Sequence, residues 1–113
     1  MKKNFLLLLI FLSGFFFSQE YKPDILGNGF EQKTLNFPND YEGKVTATII
    51  RKKAESPTHK GVLYIHGFND YFFQAEMAEK FNEKGFDFYA LDLRKYGRSY
   101  LPHQTFNNVR NLD

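Results

Sequence analysis

The 113-residue sequence contains no cysteine. No disulfide can form and no lipid can be attached through a cysteine side chain, although a cysteine-free chain remains compatible with an oxidising compartment. The chain also has no net charge once the N-terminal leader is set aside. Of the 15 basic side chains, Lys2 and Lys3 belong to an N-terminal leader, which leaves 13 basic against 13 acidic residues. Such a neutral chain argues against nucleic acid or an anionic surface as its partner.

An apolar run long enough to span a membrane is missing as well. The run from Phe5 to Phe17 has 13 residues, whereas a membrane-spanning helix needs about 20. It follows a short positive segment that contains both leader lysines, and this combination is typical of a secretory signal peptide. We therefore expect residues 1–18 to be removed and the chain to be exported to the periplasm or the cell exterior. The alternative is an uncleaved leader that acts as a membrane anchor, which is the only membrane contact we expect.

Metal-binding and phosphate-binding motifs are absent. His59 and His103 stand alone, and His66 is followed at close range only by Asp70, so no ligand cluster of recognised spacing exists. No glycine-rich phosphate loop follows an apolar run. The sequence therefore predicts no metal ion and no cofactor.

The first half of the mature chain has the pattern of an antiparallel hairpin. Residues Phe30 to Phe37 alternate loosely and predict a first strand that ends at Pro38. The β-branched, alternating segment Val45 to Ile50 predicts a second strand, antiparallel to the first. Between them, the segment from Asn39 to Gly43 is rich in residues that favour a tight turn.

A βαβ unit follows the predicted hairpin. The apolar runs Gly61–Ile65 and Phe86–Leu91 predict two strands, the first of them covered on both faces. The segment between them has apolar residues on one helical face and charged residues on the other, and Gly85 supplies a stop. The apolar face consists of Phe73, Met77, Ala78 and Phe81.

Each of these two strands leads into a turn with recognisable polar residues. The first turn is His66-Gly-Phe68, and the second is Asp92-Leu-Arg-Lys-Tyr-Gly-Arg-Ser99. This arrangement resembles the first half of an α/β-hydrolase, in particular the serine aminopeptidase/monoglyceride-lipase branch. The resemblance covers roughly residues 45–113 and implies an α/β fold class, the N-terminal portion of an α/β-hydrolase fold. Residues 1–18 would then be the signal peptide, residues 19–44 a lead-in with the first strand, and residues 45–113 an incomplete hydrolase domain.

The resemblance also implies roles for the residues of the first turn. Hydrolysis of an ester or amide by a serine enzyme passes through an oxyanion, which backbone N–H groups stabilise. By this resemblance, the N–H of Phe68 would be one such donor in the oxyanion hole. Gly67 would leave room for the substrate, and His66 would support the loop.

In the second turn, the resemblance implies structural roles. Asp92 and Arg94 would pair and hold the turn beside the active site, while Gly97 would adopt a conformation unfavourable for other residues. Ser99 ends the motif. The sequence departs from the family at Lys95 and Tyr96, where Gly and His are usual, which leaves the backbone geometry at position 95 open.

The sequence does not supply a nucleophile. A nucleophile elbow requires Gly-x-Ser-x-Gly, but Leu101 occupies the second glycine position after Ser99, and Ser56 lies in a loop with proline and lysines. The catalytic Ser, acid and His of the family are thus missing from these residues. Phe106, Val109 and Leu112 have the spacing with which a helix before the nucleophile strand would begin.

Two functions remain open on the sequence alone. The first is the N-terminal part of a secreted serine hydrolase that acts on small-molecule carboxylic esters or peptides and is inactive by itself. The second is a small secreted binding module without catalytic activity, complete at 113 residues. The sequence predicts neither the substrate nor the oligomeric state.

Overall fold

The computed structural model describes residues 20–110, in which five strands form one sheet. The strands are β1 (Lys22–Pro23), β2 (Glu31–Asp40), β3 (Gly43–Lys52), β4 (Gly61–Ile65) and β5 (Asp87–Asp92). The helix α1 spans Ala75–Glu83, and a short 3-10 helix, η1, spans Gly97–Ser99. The signal peptide predicted over residues 1–18 lies outside the described residues. Within residues 20–110, no helix has the length and apolar character needed to cross a membrane.

The predicted hairpin is present and is longer than expected. β2 pairs with β3 antiparallel, from Glu31 opposite Arg51 to Asp40 opposite Gly43. β2 continues past Pro38, and the register shifts between Phe37 and Asp40. This irregularity fits the proline, which has no N–H to donate to the ladder. The hairpin thus joins residues on both sides of position 44.

The βαβ unit is also present. β4 and β5 pair in parallel, and α1 lies between them in the chain. The helix ends before Gly85, whose φ of +84° is favourable for glycine. The sheet order β1-β2-β3-β5-β4 makes β4 the edge strand of the described sheet.

The core lies between α1 and one face of the sheet. Phe72 is fully buried at its centre, with ring centroids 5.3 Å from Phe88, 6.0 Å from Tyr64 and 6.2 Å from Phe30. The other buried members of this cluster are Ile50, Ala78 and Ala90. Burial of these apolar side chains provides the main stabilisation of the arrangement.

Two expectations from the sequence are wrong. β4 was expected to be covered on both faces, but Leu63 and Ile65 are 58% and 53% exposed. The reason is that α1 packs over only the opposite face, which carries Val62 and Tyr64, and no other helix of residues 20–110 covers the face of Leu63 and Ile65. The helix expected from Phe106 onward is not formed over residues 106–110, which have no helical segment, and Leu112 lies outside the described residues.

Candidate active site

The two polar turns lie side by side at one end of the sheet. β4 and β5 run parallel, and Ile65 pairs with Leu91. The next residues, His66 and Asp92, are therefore neighbours at the carboxyl ends of their strands, where open α/β sheets place their functional residues.

The backbone of the first turn is open to an incoming molecule. Within residues 20–110, the N–H of Phe68 has no hydrogen-bond acceptor, and the Phe68 side chain is 83% exposed. A Cβ built on Gly67 would meet no atom within 4 Å. The turn therefore presents an unpaired backbone donor beside open space.

His66, the first residue of this turn, has a buried side chain. It is only 5% exposed, and its ring packs 4.8 Å from the ring of Tyr96. Its Nδ1 lies 2.8 Å from the carbonyl oxygen of Gly67, and its Nε2 accepts a hydrogen bond of 3.0 Å from the N–H of Leu93. His66 thus connects the turn after β4 with the turn after β5.

The carboxylate of Asp92 connects the turn after β5 with the segment between Phe68 and α1. Oδ1 accepts a 2.8 Å hydrogen bond from the N–H of Phe72, and Oδ2 accepts one of 3.0 Å from the N–H of Arg98. Asp92 is fully buried. Since Phe72 is at the centre of the core, the loop that carries Phe68 has a rigid end.

The arginine that pairs with Asp92 differs from the one expected. Nη1 of Arg98 lies 2.9 Å from Oδ2 of Asp92, whereas the resemblance implied Arg94 as the partner. Arg98 also donates to the carbonyl of Phe72 at 2.8 Å and to Asp24. The turn is therefore fastened by an ion pair within its own last residues and by a carboxylate from the lead-in segment.

Burial and hydrogen bonding act in opposite directions on this charge cluster. Burial alone would raise the pKa of Asp24, but hydrogen bonds from Arg98 and from the N–H of Leu26 outweigh it and hold that pKa below its ordinary value. Burial would likewise lower the pKa of Arg98, which Asp24 and Asp92 instead raise. Both groups are therefore charged in the folded protein, as a paired buried cluster requires.

Gly97 and Ser99 complete the second turn. Gly97 has a φ of +47°, and a Cβ there would lie 2.6 Å from both Asp92 Oδ2 and Tyr71 Cβ. Ser99 is fully buried, and its Oγ donates to the carbonyl of Asp92 at 2.7 Å. Thr48 on β3 lies 3.1 Å from the same Oγ. Both residues serve the close packing of the turn.

Lys95 occupies the position where the family usually has glycine, and it keeps a left-handed backbone with φ of +69°. Its side chain is fully buried, and Nζ lies 2.7 Å from Asp40, 2.5 Å from Glu42 and 2.8 Å from the carbonyl of Asn108. Burial would lower the pKa of this ammonium, but Asp40 and Glu42 outweigh it and raise that pKa. These contacts offset the backbone cost of a side chain at a left-handed position.

No nucleophile is formed by the described residues. The buried Oγ of Ser99 is already engaged, and His103 directs its Nε2 to the carbonyl of Lys44 at 2.9 Å. Ser56 lies exposed in the loop before β4. Among residues 20–110 there is also no group of three side chains able to hold a metal ion. What the site can do chemically is donate a backbone hydrogen bond to a developing negative charge.

Comparison with known proteins agrees with this architecture. The chain is similar to the solved structure of acetyl xylan esterase 1 from Thermoanaerobacterium sp. JW/SL YS485, with 22% identity and a TM-score of 0.50. The match covers 83% of this chain and 30% of the esterase, so the chain spans less than a third of that protein's length. No family model and no curated protein sequence matches the chain.

The fold class expected from the sequence is confirmed. The described residues have an α/β architecture, with an antiparallel hairpin followed by a βαβ unit in a mixed sheet, consistent with the N-terminal portion of an α/β-hydrolase fold. At this level of identity the likeness establishes the fold alone.

Three residues to which the sequence assigns no role are important at this site, namely Asp24, Lys95 and Arg98. The charge of Arg98 was visible in the motif, but Arg94 matched the family pattern more closely. Asp24 precedes Arg98 by 74 positions, and nothing in the local pattern of the sequence indicates such a contact.

Proposed function

We propose that this chain forms the N-terminal part of a serine hydrolase and that it supplies the oxyanion turn. The observation that carries the proposal is the free N–H of Phe68 beside the unobstructed Gly67, at the carboxyl end of a parallel strand. In acyl transfer, such a donor stabilises the oxyanion of the tetrahedral intermediate. The nucleophile, the acid and the catalytic His would come from residues that follow Asp113 in the full-length gene product.

We further propose carboxylic esters as the substrate class, with peptides as the second acyl class to test. The ester preference is supported by the structural similarity to an esterase, and the serine aminopeptidase/monoglyceride-lipase resemblance of the two turns supports both.

Export through residues 1–18 is part of the same proposal and is supported by the lysines and apolar run of the leader. N-terminal sequencing of the secreted product should begin near Gln19. A mature protein that still starts at Met1 and needs detergent for extraction would contradict export.

The function is tested on the full-length gene product with a fluorophosphonate, which forms a covalent bond with an activated serine. The expected result is stoichiometric labelling of one serine in a Gly-x-Ser-x-Gly segment downstream of Asp113, together with hydrolysis of p-nitrophenyl acetate. Activity on aminoacyl p-nitroanilides instead would assign the peptide class. A gene that ends at Asp113, with a monomeric product that folds cooperatively and is not labelled, would contradict the hydrolase and favour the binding module.

A further inference from the structure

Both ring nitrogens of His66 are engaged by backbone groups, and this fixes where the ring proton resides. The N–H of Leu93 can only donate, so Nε2, 3.0 Å away, must accept. The carbonyl oxygen of Gly67 can only accept, so Nδ1, 2.8 Å away, must carry the hydrogen. The two contacts therefore place the ring hydrogen of His66 on Nδ1. Neither nitrogen is left to act as a general base.

This hydrogen bond determines the direction of the N–H of Phe68. The carbonyl of Gly67 and the N–H of Phe68 belong to one peptide unit, and none of the described peptide bonds is cis. In a trans peptide these two groups point in opposite directions. Because the carbonyl points to the buried ring of His66, the N–H points away from that ring, and the turn there is exposed.

The orientation of the Gly67–Phe68 peptide has to be fixed by a contact, because glycine precedes the donor. The absence of a Cβ at Gly67 makes room for a substrate, but it also makes rotation of the Gly67–Phe68 peptide inexpensive. A rotated peptide would present a carbonyl oxygen where the oxyanion forms. The ring of His66 is itself held by Leu93 and by Tyr96, so its position depends on the turn after β5.

We propose that His66 is a positioning residue which, through its Nδ1–H bond to the Gly67 carbonyl, aims the N–H of Phe68 at the substrate. This inference rests on the proposed hydrolase function. The contact with Leu93 determines the tautomer of His66, and the contact with the Gly67 carbonyl determines the orientation of the Gly67–Phe68 peptide. The turn after β5 thus acts on the oxyanion donor through a single imidazole.

Two amide substitutions in the full-length gene product separate these contacts. His66→Asn places an amide N–H close to the position of Nδ1 and retains the donor to Gly67, while it loses the acceptor for Leu93. His66→Gln reaches toward the position of Nε2 and leaves the Gly67 carbonyl without a donor. We expect kcat on p-nitrophenyl acetate to fall by about 10²-fold in His66→Gln, the effect of losing one oxyanion donor. In His66→Asn it should fall by less than about tenfold, with KM little changed in both.

If His66 contributed only to packing, the kcat values of the two variants would rank differently. The kcat values would then follow the melting temperatures of the two variants rather than the presence of the Nδ1-type donor. Equal kcat values in both variants, or a near-parental kcat in His66→Gln, would overturn the proposal.

A measurement independent of catalysis keeps the two proposals distinguishable. In ¹⁵N-labelled full-length gene product, the His66 ring should give a protonated Nδ1 and an unprotonated Nε2 at neutral pH, and the Leu93 amide should be protected from exchange. A ring protonated on Nε2 overturns the positioning role even if the protein hydrolyses esters. The expected tautomer in a protein that no fluorophosphonate labels would support the geometry and contradict the hydrolase.

Discussion

Nε and Nη2 of Arg98 donate to the two carboxylate oxygens of Asp24, at 2.7 and 2.9 Å, although the residues are 74 positions apart. The Asp24 side chain is fully buried and that of Arg98 is 7% exposed. Since Arg98 also binds Asp92, one guanidinium serves two buried carboxylates. Such an arrangement stabilises the turn only while the cation is present.

We predict that Arg98→Met destabilises the protein by about 3–5 kcal/mol, because it leaves Asp24 and Asp92 buried without a cation. Urea unfolding of the full-length gene product, followed by circular dichroism, measures the change. Arg51→Met is the matched control, since Arg51 pairs with a partly exposed Glu31 and lies over the ring of Tyr21. It should lose no more than about 1–2 kcal/mol. Equal losses of unfolding free energy in the two variants would show that the buried cluster contributes no more to stability than an exposed ion pair.

Gly97 gives a second prediction, because a side chain there meets both a backbone and a steric obstacle. Its φ is +47°, and a Cβ would lie 2.6 Å from Tyr71 Cβ. Gly27 has a φ of +66° but open space around it. Gly27→Ala should therefore cost about 1–2 kcal/mol for the left-handed backbone alone, and Gly97→Ala clearly more. The difference between their free energies of unfolding measures the clash, and a difference near zero would mean that the turn relaxes to accept a methyl group.

Lys95 leads to a prediction about pH. Its hydrogen bonds hold the pKa values of Asp40 and Glu42 below the ordinary carboxyl range. A lowered carboxyl pKa contributes stability above the unfolded-state value, about 4, and this contribution is lost as the pH falls through the folded-state value. The raised pKa of Lys95 acts at the alkaline end, where its contribution is lost as the pH rises through the folded-state pKa.

We therefore expect Lys95→Met to lower the melting temperature most near pH 7 and progressively less toward pH 3. Lys80→Met, at an exposed i,i+4 pair with Glu76, serves as the control and should change the melting temperature little at any pH. A deficit of Lys95→Met that stays constant from pH 7 to pH 3 would mean that lost packing, rather than the charge contacts, explains it.

The sequence predicts the regular elements of this fold better than the contacts between its turns. Alternation in Val45–Ile50 and helical periodicity around Met77 and Phe81 are local signals, and β3 and α1 form there. Phe73 is an exception, because α1 begins only at Ala75 and the Phe73 side chain, expected on the apolar face, is 51% exposed. The partner of Asp92 depends instead on how the turn closes, since Gly97 brings the backbone of Arg98 onto its carboxylate. A match to a family pattern favoured Arg94, which has the same charge but a different position in the turn.

Position 95 is a second place where a tertiary contact decides what the local sequence cannot predict. Glycine is usual there because the backbone is left-handed, and a lysine predicts strain. The compensation comes from Asp40, the last residue of β2, and from Glu42 in the turn after it, both more than 50 residues earlier. Such a contact is defined by tertiary structure, and no local propensity encodes it.

The edge of β4 gives a prediction about the isolated segment. Leu63 and Ile65 expose apolar surface along an edge strand, which is a template for pairing with another chain. Residues 19–113 expressed alone should therefore aggregate and show no activity on p-nitrophenyl esters. Static light scattering should show less association for Leu63→Lys/Ile65→Lys, because charges on an edge oppose pairing. Ile25→Lys, at a side chain 81% exposed away from this edge, is the control and should not reduce association. A parent segment that is monomeric and melts sharply would refute the prediction.

The last prediction concerns the N–H of Phe68 in the full-length gene product. Phe68→Pro removes the donor, while Phe68→Ala removes the side chain and keeps the donor. Because losing one oxyanion donor typically costs about 10²–10³-fold in kcat, Phe68→Pro should be far less active than Phe68→Ala. The side chain is 83% exposed and contributes little to the core, so Phe68→Ala should alter mainly KM. Steady-state kinetics on p-nitrophenyl acetate measure both variants.

Proline also restricts its own φ and the conformation of the preceding Gly67, so the folding of Phe68→Pro has to be measured before its kinetics. Circular dichroism and the melting temperature should match those of Phe68→Ala, since the turn is exposed and its anchors at His66 and Phe72 are unchanged. A folded Phe68→Pro with near-parental kcat would mean that the oxyanion is stabilised elsewhere. The His-Gly-Phe turn would then be only the end of β4, and the free N–H beside Gly67 would have no catalytic role.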